Sequence, residues 1–302
     1  METRGRFAPS PTGLLHLGNA RTALLSWLWA RSEGGGYAMR VEDIDRPRVR
    51  PGLAAQQLDE LRWLGLDWDG EPVFQSQRSQ LYETALRQLG DQVYECFCSR
   101  AEIAASASAP HGDEGPRYPG TCAQLTREQR AERRKSRPPA LRLRVPPGEI
   151  AFADEILGPQ SFEVQAMTGD FVLRRADGIF AYQLAVTVDD GAMGVTQVLR
   201  GADLVTSTPR QILLHRLLGQ PEPRWAHAPM VLSAAGERLS KRDRSLSLSA
   251  LRAAGADPRQ LVADLARLSG IECGNACELH ELISEFSLAR VPRAPARVGN
   301  PP

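Results

Sequence analysis

Residues 5–44 read GRFAPSPTGLLHLGNARTALLSWLWARSEGGGYAMRVEDI, and the succession of apolar and turn residues in this stretch decides the fold. Residues 5–10 form a strand end that runs into the turn Pro9-Ser10-Pro11-Thr12-Gly13, after which Leu14-Leu15-His16-Leu17-Gly18-Asn19 leads into a helix. Over residues 20–32 that helix carries Ala23, Leu24, Trp27 and Leu28 at helical spacing, with Asn19 as its cap and Gly34-Gly35-Gly36 as its end. Residues 37–44 are a second strand with Met39 and Val41 on one face. A strand, a helix and a strand joined by a glycine-containing first turn is how an α/β nucleotide-binding sheet begins.

Outward from this unit, leucines at compatible intervals predict helices over residues 52–64 and 77–90. The stretch 96–122 is rich in Ala, Ser, Gly and Pro and reads as an insertion. Residues 125–137 hold Arg127, Arg130, Arg133, Arg134, Lys135 and Arg137 against Glu128 and Glu132, so the segment is locally basic: a solvated helix face or an RNA contact. Alternating segments at 140–145, 171–175 and 197–200 resume the sheet, with helices over 182–188 and 208–218. Beyond Lys241 about 60 residues remain, enough for helices over 248–254, 258–268 and 276–286, followed by a tail expected to be disordered from Pro292.

A chain of 302 residues buries a large core and suggests about two domains. Lys plus Arg total 37 against 36 for Asp plus Glu, a net charge of +1, which excludes a global electrostatic footprint for nucleic acid and leaves any RNA contact to local patches. No apolar run approaches the roughly 20 residues of a membrane-spanning helix, and the reading is of a cytoplasmic protein with no membrane partner. Five cysteines make no disulfide framework, and the C-x-C of Cys96 and Cys98 suits a metal better than a bridge. Cys273 and Cys277 read as core or incidental thiols.

Two places carry chemistry. His16 and Gly18 sit where a strand turns into a helix, and free backbone N–H groups with the helix dipole favour phosphate oxygens there. Ser240 and Lys241, in Arg-Leu-Ser-Lys-Arg at 238–242, put a cation on a polar loop where it can neutralise charge building on a leaving pyrophosphate.

Taken together, Ser10-Pro11-Thr12-Gly13 with His16-Leu17-Gly18-Asn19, Val41-Glu42-Asp43-Ile44-Asp45 and Arg238-Leu239-Ser240-Lys241-Arg242 resemble the HIGH and KMSKS signatures of class I aminoacyl-tRNA synthetases in their glutamyl form. The resemblance continues through 169–178, Tyr182-Gln183-Leu184-Ala185-Val186 and Arg200-Gly201-Ala202-Asp203, and covers about residues 4–245. Asn19 replaces the second histidine of HIGH, and Arg238, Leu239 and Arg242 alter KMSKS. The resemblance implies an α/β fold with a Rossmann-type catalytic domain, a zinc-bearing insertion and a short C-terminal helical region. The divisions are residues 1–95 and 138–245 for the two halves of the catalytic domain, 96–137 for the insertion with its basic segment, and 246–302 for a helical stem-contact region with a disordered tail.

The same resemblance implies a glutamate pocket on Arg6, Phe7, Ala8, Pro9, Ser10, Glu42, Tyr182 and Arg200. It implies an ATP site on His16, Gly18, Asn19, Ser240 and Lys241, with His16 and Lys241 catalytic and Mg2+ accompanying ATP. The chemistry agrees: glutamate presents two carboxylates and one ammonium, so Arg6 or Arg200 can take a carboxylate while Glu42 takes the ammonium and Tyr182 adds a neutral hydrogen bond. Cys96, Cys98, Tyr118 and Cys122 match a zinc site of the family, a closed structural site for one Zn2+, with His111 in the same insertion as an alternative to the tyrosine.

Conventional glutamyl enzymes continue after the KMSKS loop into a sizeable helical region that holds the anticodon, and this chain is expected to be too short for it. That layout, with the cysteine pattern, resembles the glutamyl-queuosine tRNA(Asp) synthetases, a bacterial paralogue group that activates glutamate without tRNA. The implied partners are ATP, L-glutamate and tRNA(Asp) carrying queuosine, and the implied state is a monomer. Two other readings stand beside it: a minimal synthetase charging the terminal adenosine of tRNA(Glu), and a silent RNA-binding paralogue, against which His16, Lys241 and Glu42 argue.

Overall fold

The structure is a computed structural model that describes residues 2–106, 116–233, 236 and 247–297. In chain order it opens with strand β1 (Arg4–Phe7), helix α1 (Leu17–Ser32) and strand β2 (Gly36–Val41), the unit expected from residues 5–44. β1 and β2 pair in parallel, Gly5 opposite Tyr37 and Phe7 opposite Met39. Gly5 is required by close packing, since a Cβ there would meet the Ala30 Cβ of α1 at 2.8 Å.

Next come α2 (Leu53–Trp63), β3 (Val73–Phe74), α3 (Ser79–Leu89) and β4 (Val93–Cys96), with β3 extending the sheet beyond β2. The insertion holds α4 (Arg100–Ser106) and α5 (Arg127–Ser136). Then come β5 (Ala140–Leu143), β6 (Ile150–Asp154), β7 (Gly158–Phe162), the short α6 (Val164–Met167) and β8 (Val172–Arg174); β5 pairs antiparallel with β4 and β8, while β6 and β7 form a hairpin. The second parallel half comprises α7 (Tyr182–Ala192), β9 (Gln197–Gly201), α8 (Thr208–Leu217) and β10 (Arg224–Ala228). β9 and β10 pair in parallel over five residues, from Arg224 opposite Gln197 to Ala228 opposite Gly201, and β6 of the hairpin joins β10. The chain closes with β11 (Val231–Leu232), α9 (Leu248–Ala253), α10 (Pro258–Arg267) and β12 (Ala296–Arg297).

The two parallel halves meet where the Thr196 N–H donates to the Arg4 carbonyl (2.9 Å) and the Arg4 N–H to Thr196 Oγ1 (2.8 Å), which sets β9 beside β1. Helices cover both faces. Along β9 and β10 successive side chains enter opposite cores: Leu199 and Ala226 pack under α1 and α10, Val198 and Trp225 under α3, α7 and α8. This two-sided burial is why the strands lack a clean alternation of apolar and polar residues. A third small core joins Tyr94, Phe97, Ile103 and Tyr118 around the cysteines of the insertion.

Helix α1 is buried on almost every side, because α10 lies across the face that an isolated strand-helix-strand unit would leave in water. Trp27 and Leu28 are fully buried, each contributing about 2 kcal/mol of transfer free energy. Even Arg21 is inside, donating to Ser269 Oγ (2.9 Å) and the Pro229 carbonyl (2.7 Å), and burial lowers its pKa to about 10. It staples the C-terminal helices to the opening strand-helix-strand unit.

Three expectations are corrected. The cap of α1 is His16, with Asn19 at the third helical position completing a capping box. Residues 276–286 hold only a single 3-10 turn, Leu279–Leu282, because Cys277, Leu279 and Leu282 dock individually onto the core under α1. The tail is not structureless from Pro292: Ala296 and Arg297 pair with Val231 and Leu232 as β12. Among the described residues no helix is long and apolar enough to cross a membrane.

Candidate active site

A cleft of about 640 Å³ opens at the C-terminal ends of β1, β2, β9 and β10, where the two halves of the sheet meet. That is where open α/β sheets bind ligands, since the chain leaves adjacent strands in opposite directions and parts there. Arg6, Phe7, Ala8, Pro9, Ser10, His16, Gly18, Asn19, Glu42, Tyr182 and Arg200 all line it. Ser240 and Lys241, and the alternative ligand His111, lie outside the described residues.

The turn that carries Ser10 is held from below. Buried Gln57 on α2 donates to the Ser10 (3.2 Å) and Gly13 (2.8 Å) carbonyls, and the Glu42 N–H donates to the Pro9 carbonyl (2.9 Å). Beneath the turn lies an alternating cluster of charges. Arg40, fully buried, donates through NH1 to Asp190 Oδ1 (2.5 Å) and through NH2 to Glu42 Oε1 (3.2 Å). Arg6 Nε lies 3.4 Å from the same Asp190 oxygen. Asp189 takes Arg78 (2.5 Å), Gln75 (2.8 Å) and the Tyr82 hydroxyl (2.8 Å).

Burial alone would push the Asp190 carboxyl up, but Arg40 and Arg6 outweigh it and hold the group below the usual carboxylate range. For Glu42 burial wins: its pKa is raised although Arg40 and Arg6 pull it down. A buried carboxylate held above its ordinary pKa gains from a second cation, and one side of Glu42 faces the cleft.

Arg200 completes the charge pattern from the opposite wall. Burial lowers its pKa, and among the described residues no carboxylate pairs with it. Its partners are neutral: NH1 donates to Gln211 Oε1 (2.7 Å), NH2 to Thr208 Oγ1 (2.8 Å) and the Leu204 carbonyl (3.4 Å), and Nε to His227 Nε2 (3.1 Å). Arg6, Arg40 and Arg78 are matched by Glu42, Asp189 and Asp190, whereas Arg200 is held by neutral acceptors; Asp203 also lines the cleft. A ligand that carries both signs, with a carboxylate for Arg200 and a cation for Glu42, fits this wall.

At the other end of the cleft His16 caps α1. Its Nδ1 accepts from the N–H groups of Gly18 (3.1 Å) and Asn19 (3.4 Å), and Asn19 Oδ1 accepts from the His16 N–H (3.2 Å). With Nδ1 committed as acceptor, the neutral ring carries its proton on Nε2. Gly18 makes this possible: a Cβ there would lie 3.0 Å from His16 Cε1 and 3.1 Å from Nδ1. The His-x-Gly spacing therefore has a steric reason independent of any ligand.

In the insertion Cys96, Cys98 and Cys122 bring their sulfurs within 4.8 Å of one another, a group that can hold a metal ion. Cys98 and Cys122 Sγ are 3.6 Å apart, near the ~3.8 Å edge of a tetrahedral zinc–thiolate site. The Tyr118 oxygen is 3.3 Å from Cys96 Sγ and 3.9 Å from Cys98 Sγ, and it accepts from the Cys122 N–H (2.9 Å). Arg142 lies over its ring at 3.8 Å. The thiols differ: burial pushes Cys98 up to about 12, whereas for Cys122 burial is outweighed by donors that include the Phe97 N–H, and its pKa is lowered. Helix α5 alongside is exposed along its length, and Arg134, Lys135 and Arg137 pair with Glu95, Glu132 and Glu102. Cys277 is buried and Cys273 half-buried beside the α1 core, as expected of packing thiols.

The sequence reading missed Arg40, Gln57, Asp154, Asp189, Asp190 and His227. One signal was present: Asp189 and Asp190 follow Leu184-Ala185-Val186-Thr187-Val188, and two adjacent acids inside an apolar helix demand buried partners. His227 and Asp154 lie 73 residues apart and give no local signal.

A family model described as tRNA synthetases class I (E and Q), catalytic domain, matches residues 2–298. A crystal structure of glutamate-tRNA synthetase from Elizabethkingia anophelis superimposes with a TM-score of 0.86 at 29% identity, covering 99% of this chain and 68% of that one. The chain belongs to the class I tRNA synthetases of the E and Q group. The glutamyl-Q tRNA(Asp) synthetase of Symbiobacterium thermophilum is 54% identical over 97% of this chain and 95% of its own length, and that of Nitratidesulfovibrio vulgaris 49% identical over 97% and 89%. Within the class, this chain falls in the glutamyl-Q tRNA(Asp) synthetase family.

Proposed function

We propose that the protein is an ATP-dependent ligase that activates glutamate as glutamyl-adenylate and transfers it to the queuosine cyclopentenediol at the wobble position of tRNA(Asp). The observation that carries the amino-acid assignment is that Arg200, which pairs with no carboxylate among the described residues, shares the cleft with a carboxylate, Glu42, whose pKa is raised by burial. Glutamate brings two carboxylates for the arginines and one ammonium for Glu42. Its ammonium goes to Glu42, and its carboxylates to Arg200 and to the N–H groups of Arg6 that Asp190 does not use; Tyr182 and Ser10 complete the pocket with Phe7, Ala8 and Pro9.

In this reading His16 donates from Nε2 to a phosphate oxygen of ATP at the N-terminus of α1, with Gly18 and Asn19 offering backbone approach. Ser240 and Lys241 serve the pyrophosphate, and Mg2+ accompanies the nucleotide. Catalysis is then positioning and charge stabilisation, since no side chain attacks: the glutamate α-carboxylate displaces pyrophosphate from the α-phosphate of ATP. A ribose-like hydroxyl of the cyclopentenediol next attacks the adenylate carbonyl and AMP leaves. Cys96, Cys98 and Cys122 with Tyr118 would hold Zn2+, which would be structural and tie the two ends of the insertion together.

The test is glutamate-dependent pyrophosphate exchange without RNA, followed by labelled glutamate offered to tRNA(Asp) with and without queuosine and to tRNA(Glu). Exchange without RNA, with label only on queuosine-containing tRNA(Asp) and abolished by prior periodate oxidation, is the expected result. Label on tRNA(Glu) instead would make the protein a minimal glutamyl-tRNA synthetase, the reading favoured by its likeness to the Elizabethkingia enzyme. Absence of exchange would remove the enzymatic reading.

A further inference from the structure

Arg200 reaches the cleft from a set of buried groups that do not line it, and those groups form a single directed chain of hydrogen bonds. Asp154, at the end of β6, is locked first: its Oδ1 accepts from the N–H groups of Ile156 (3.0 Å), Leu157 (2.7 Å) and His227 (3.3 Å). Its Oδ2 lies 2.5 Å from Nδ1 of His227 on β10. The His227 side chain is fully buried, and burial lowers its pKa to about 4 even though Asp154 pulls it up, so the ring is neutral near pH 7. A neutral imidazole has one proton, and the carboxylate, which can only accept, claims it at Nδ1. Nε2 is therefore a lone-pair acceptor. Arg200 Nε donates to it over 3.1 Å, and Thr208, whose hydroxyl oxygen accepts from Arg200 NH2 at 2.8 Å, lies 3.0 Å from the same nitrogen.

We propose that Asp154 and His227 are positioning residues for Arg200: the carboxylate sets the imidazole tautomer, and the imidazole holds the guanidinium by a neutral acceptor, so that its full charge is kept for a substrate carboxylate. The physical reason for an intervening ring is charge economy. A carboxylate placed directly on Arg200 would orient it as well but would neutralise it, as Asp190 does for Arg40 on the facing wall. His227, Gln211, Thr208 and the Leu204 carbonyl occupy four of the five N–H donors of Arg200 with uncharged acceptors. One N–H of NH1 remains, so the group presents a single directed donor and a whole positive charge rather than a two-pronged fork. This inference rests on the reading of the cleft as a glutamate site.

The decisive variant is Asp154→Asn. It keeps the volume and the Oδ1 acceptor for three backbone N–H groups, but its amide donates to Nδ1, which moves the ring proton to Nε2 and sets it against the N–H of Arg200 Nε. With 15N-histidine-labelled protein, and His227→Gln to assign the resonance, the wild-type His227 ring carries its proton on Nδ1 and the Asp154→Asn ring on Nε2. In pyrophosphate exchange Asp154→Asn raises the glutamate KM about tenfold or more while ATP KM and kcat at saturation stay within about threefold. His227→Gln, whose amide oxygen can still accept from Arg200, keeps a lower glutamate KM than His227→Leu. A wild-type proton on Nε2, or an Asp154→Asn enzyme with unchanged glutamate KM, overturns the proposal. If the wild type shows no glutamate-dependent exchange, the glutamate reading fails, and the tautomer measurement on the wild type decides the positioning geometry by itself.

Discussion

Replacing Gly18 by Ala separates what His16 does for the helix from what it does for the chemistry. The added methyl would lie 3.0 Å from His16 Cε1 and 3.1 Å from Nδ1, so the ring must retreat by roughly 0.4 Å to reach ordinary contact. That movement lengthens the 3.1 Å and 3.4 Å hydrogen bonds that Nδ1 accepts and weakens a cap worth about 1 kcal/mol. The alanine returns about as much, because glycine is about 1 kcal/mol worse than alanine within a helix. Stability therefore changes by less than about 1 kcal/mol, a shift of at most a few degrees in melting temperature. The catalytic consequence is larger: a donor aimed at charge that develops on phosphate oxygens is worth about 100- to 1000-fold in rate, and a ring displaced but present loses part of that, about 10- to 100-fold in kcat for pyrophosphate exchange. Glutamate KM stays unchanged, since Arg6, Glu42 and Arg200 are untouched. The assay pairs thermal melting with exchange kinetics on Gly18→Ala and His16→Ala. A Gly18→Ala enzyme with wild-type kcat would refute the argument that the neutral, Nε2-protonated ring must be held over the first turn of α1.

Three further outcomes can be checked. Glu42→Gln raises the glutamate KM by about 100-fold or more through loss of the ammonium partner, yet leaves the melting temperature equal or higher, because burial has already made the Glu42 carboxylate costly; a clear drop in melting temperature would count against that balance. Purified protein holds one zinc per chain by elemental analysis, Cys98→Ser and Tyr118→Phe release it to chelator more readily, and the loss exposes the insertion to protease while RNA-free exchange persists; a Tyr118→Phe protein that keeps zinc as tightly as wild type removes the tyrosine from the site. His227 has a folded pKa of about 4 against an unfolded value of about 6.5, so the unfolded state binds more protons between those limits. Stability is then full above pH 6.5 and falls as pH drops toward 4, by about 3 kcal/mol from this group. His215, whose pKa is also lowered by burial, adds in the same direction. Melting curves across this range should be flatter for His227→Gln, and an unchanged slope would contradict the burial argument.

The opening unit could be read from residues 5–44 because strand, turn, helix and strand each carry a local pattern, and the turn residues around His16 and Gly18 have local steric work to do. The C-x-C of the insertion was legible for the same reason: neighbouring residues on one strand end meet without help from the rest of the fold. Strands β6 and β10 were not: Trp225, Ala226 and His227 of β10 are buried in succession and lose the alternation that marks a strand, while in β6 the exposed positions, Ala151 and Ala153, are themselves apolar, so its in-and-out alternation leaves no polar pattern in the sequence.

What the sequence by itself determined is the family: a helix start with the His-x-Gly spacing, a strand-end glutamate, arginines near it and a cysteine-bearing insertion, each recognisable within a few residues. What only the tertiary structure decided is how the charges are shared. Arg40 with Asp190, Arg6 with Asp190, and Asp154 with His227 behind Arg200 join positions 150, 184 and 73 residues apart along the chain, with Arg200 a further 27 from His227. Whether an arginine is neutralised by a carboxylate or kept fully charged by neutral acceptors depends on which side chains the sheet and its helices bring within about 3 Å, and local sequence pattern does not encode that distance.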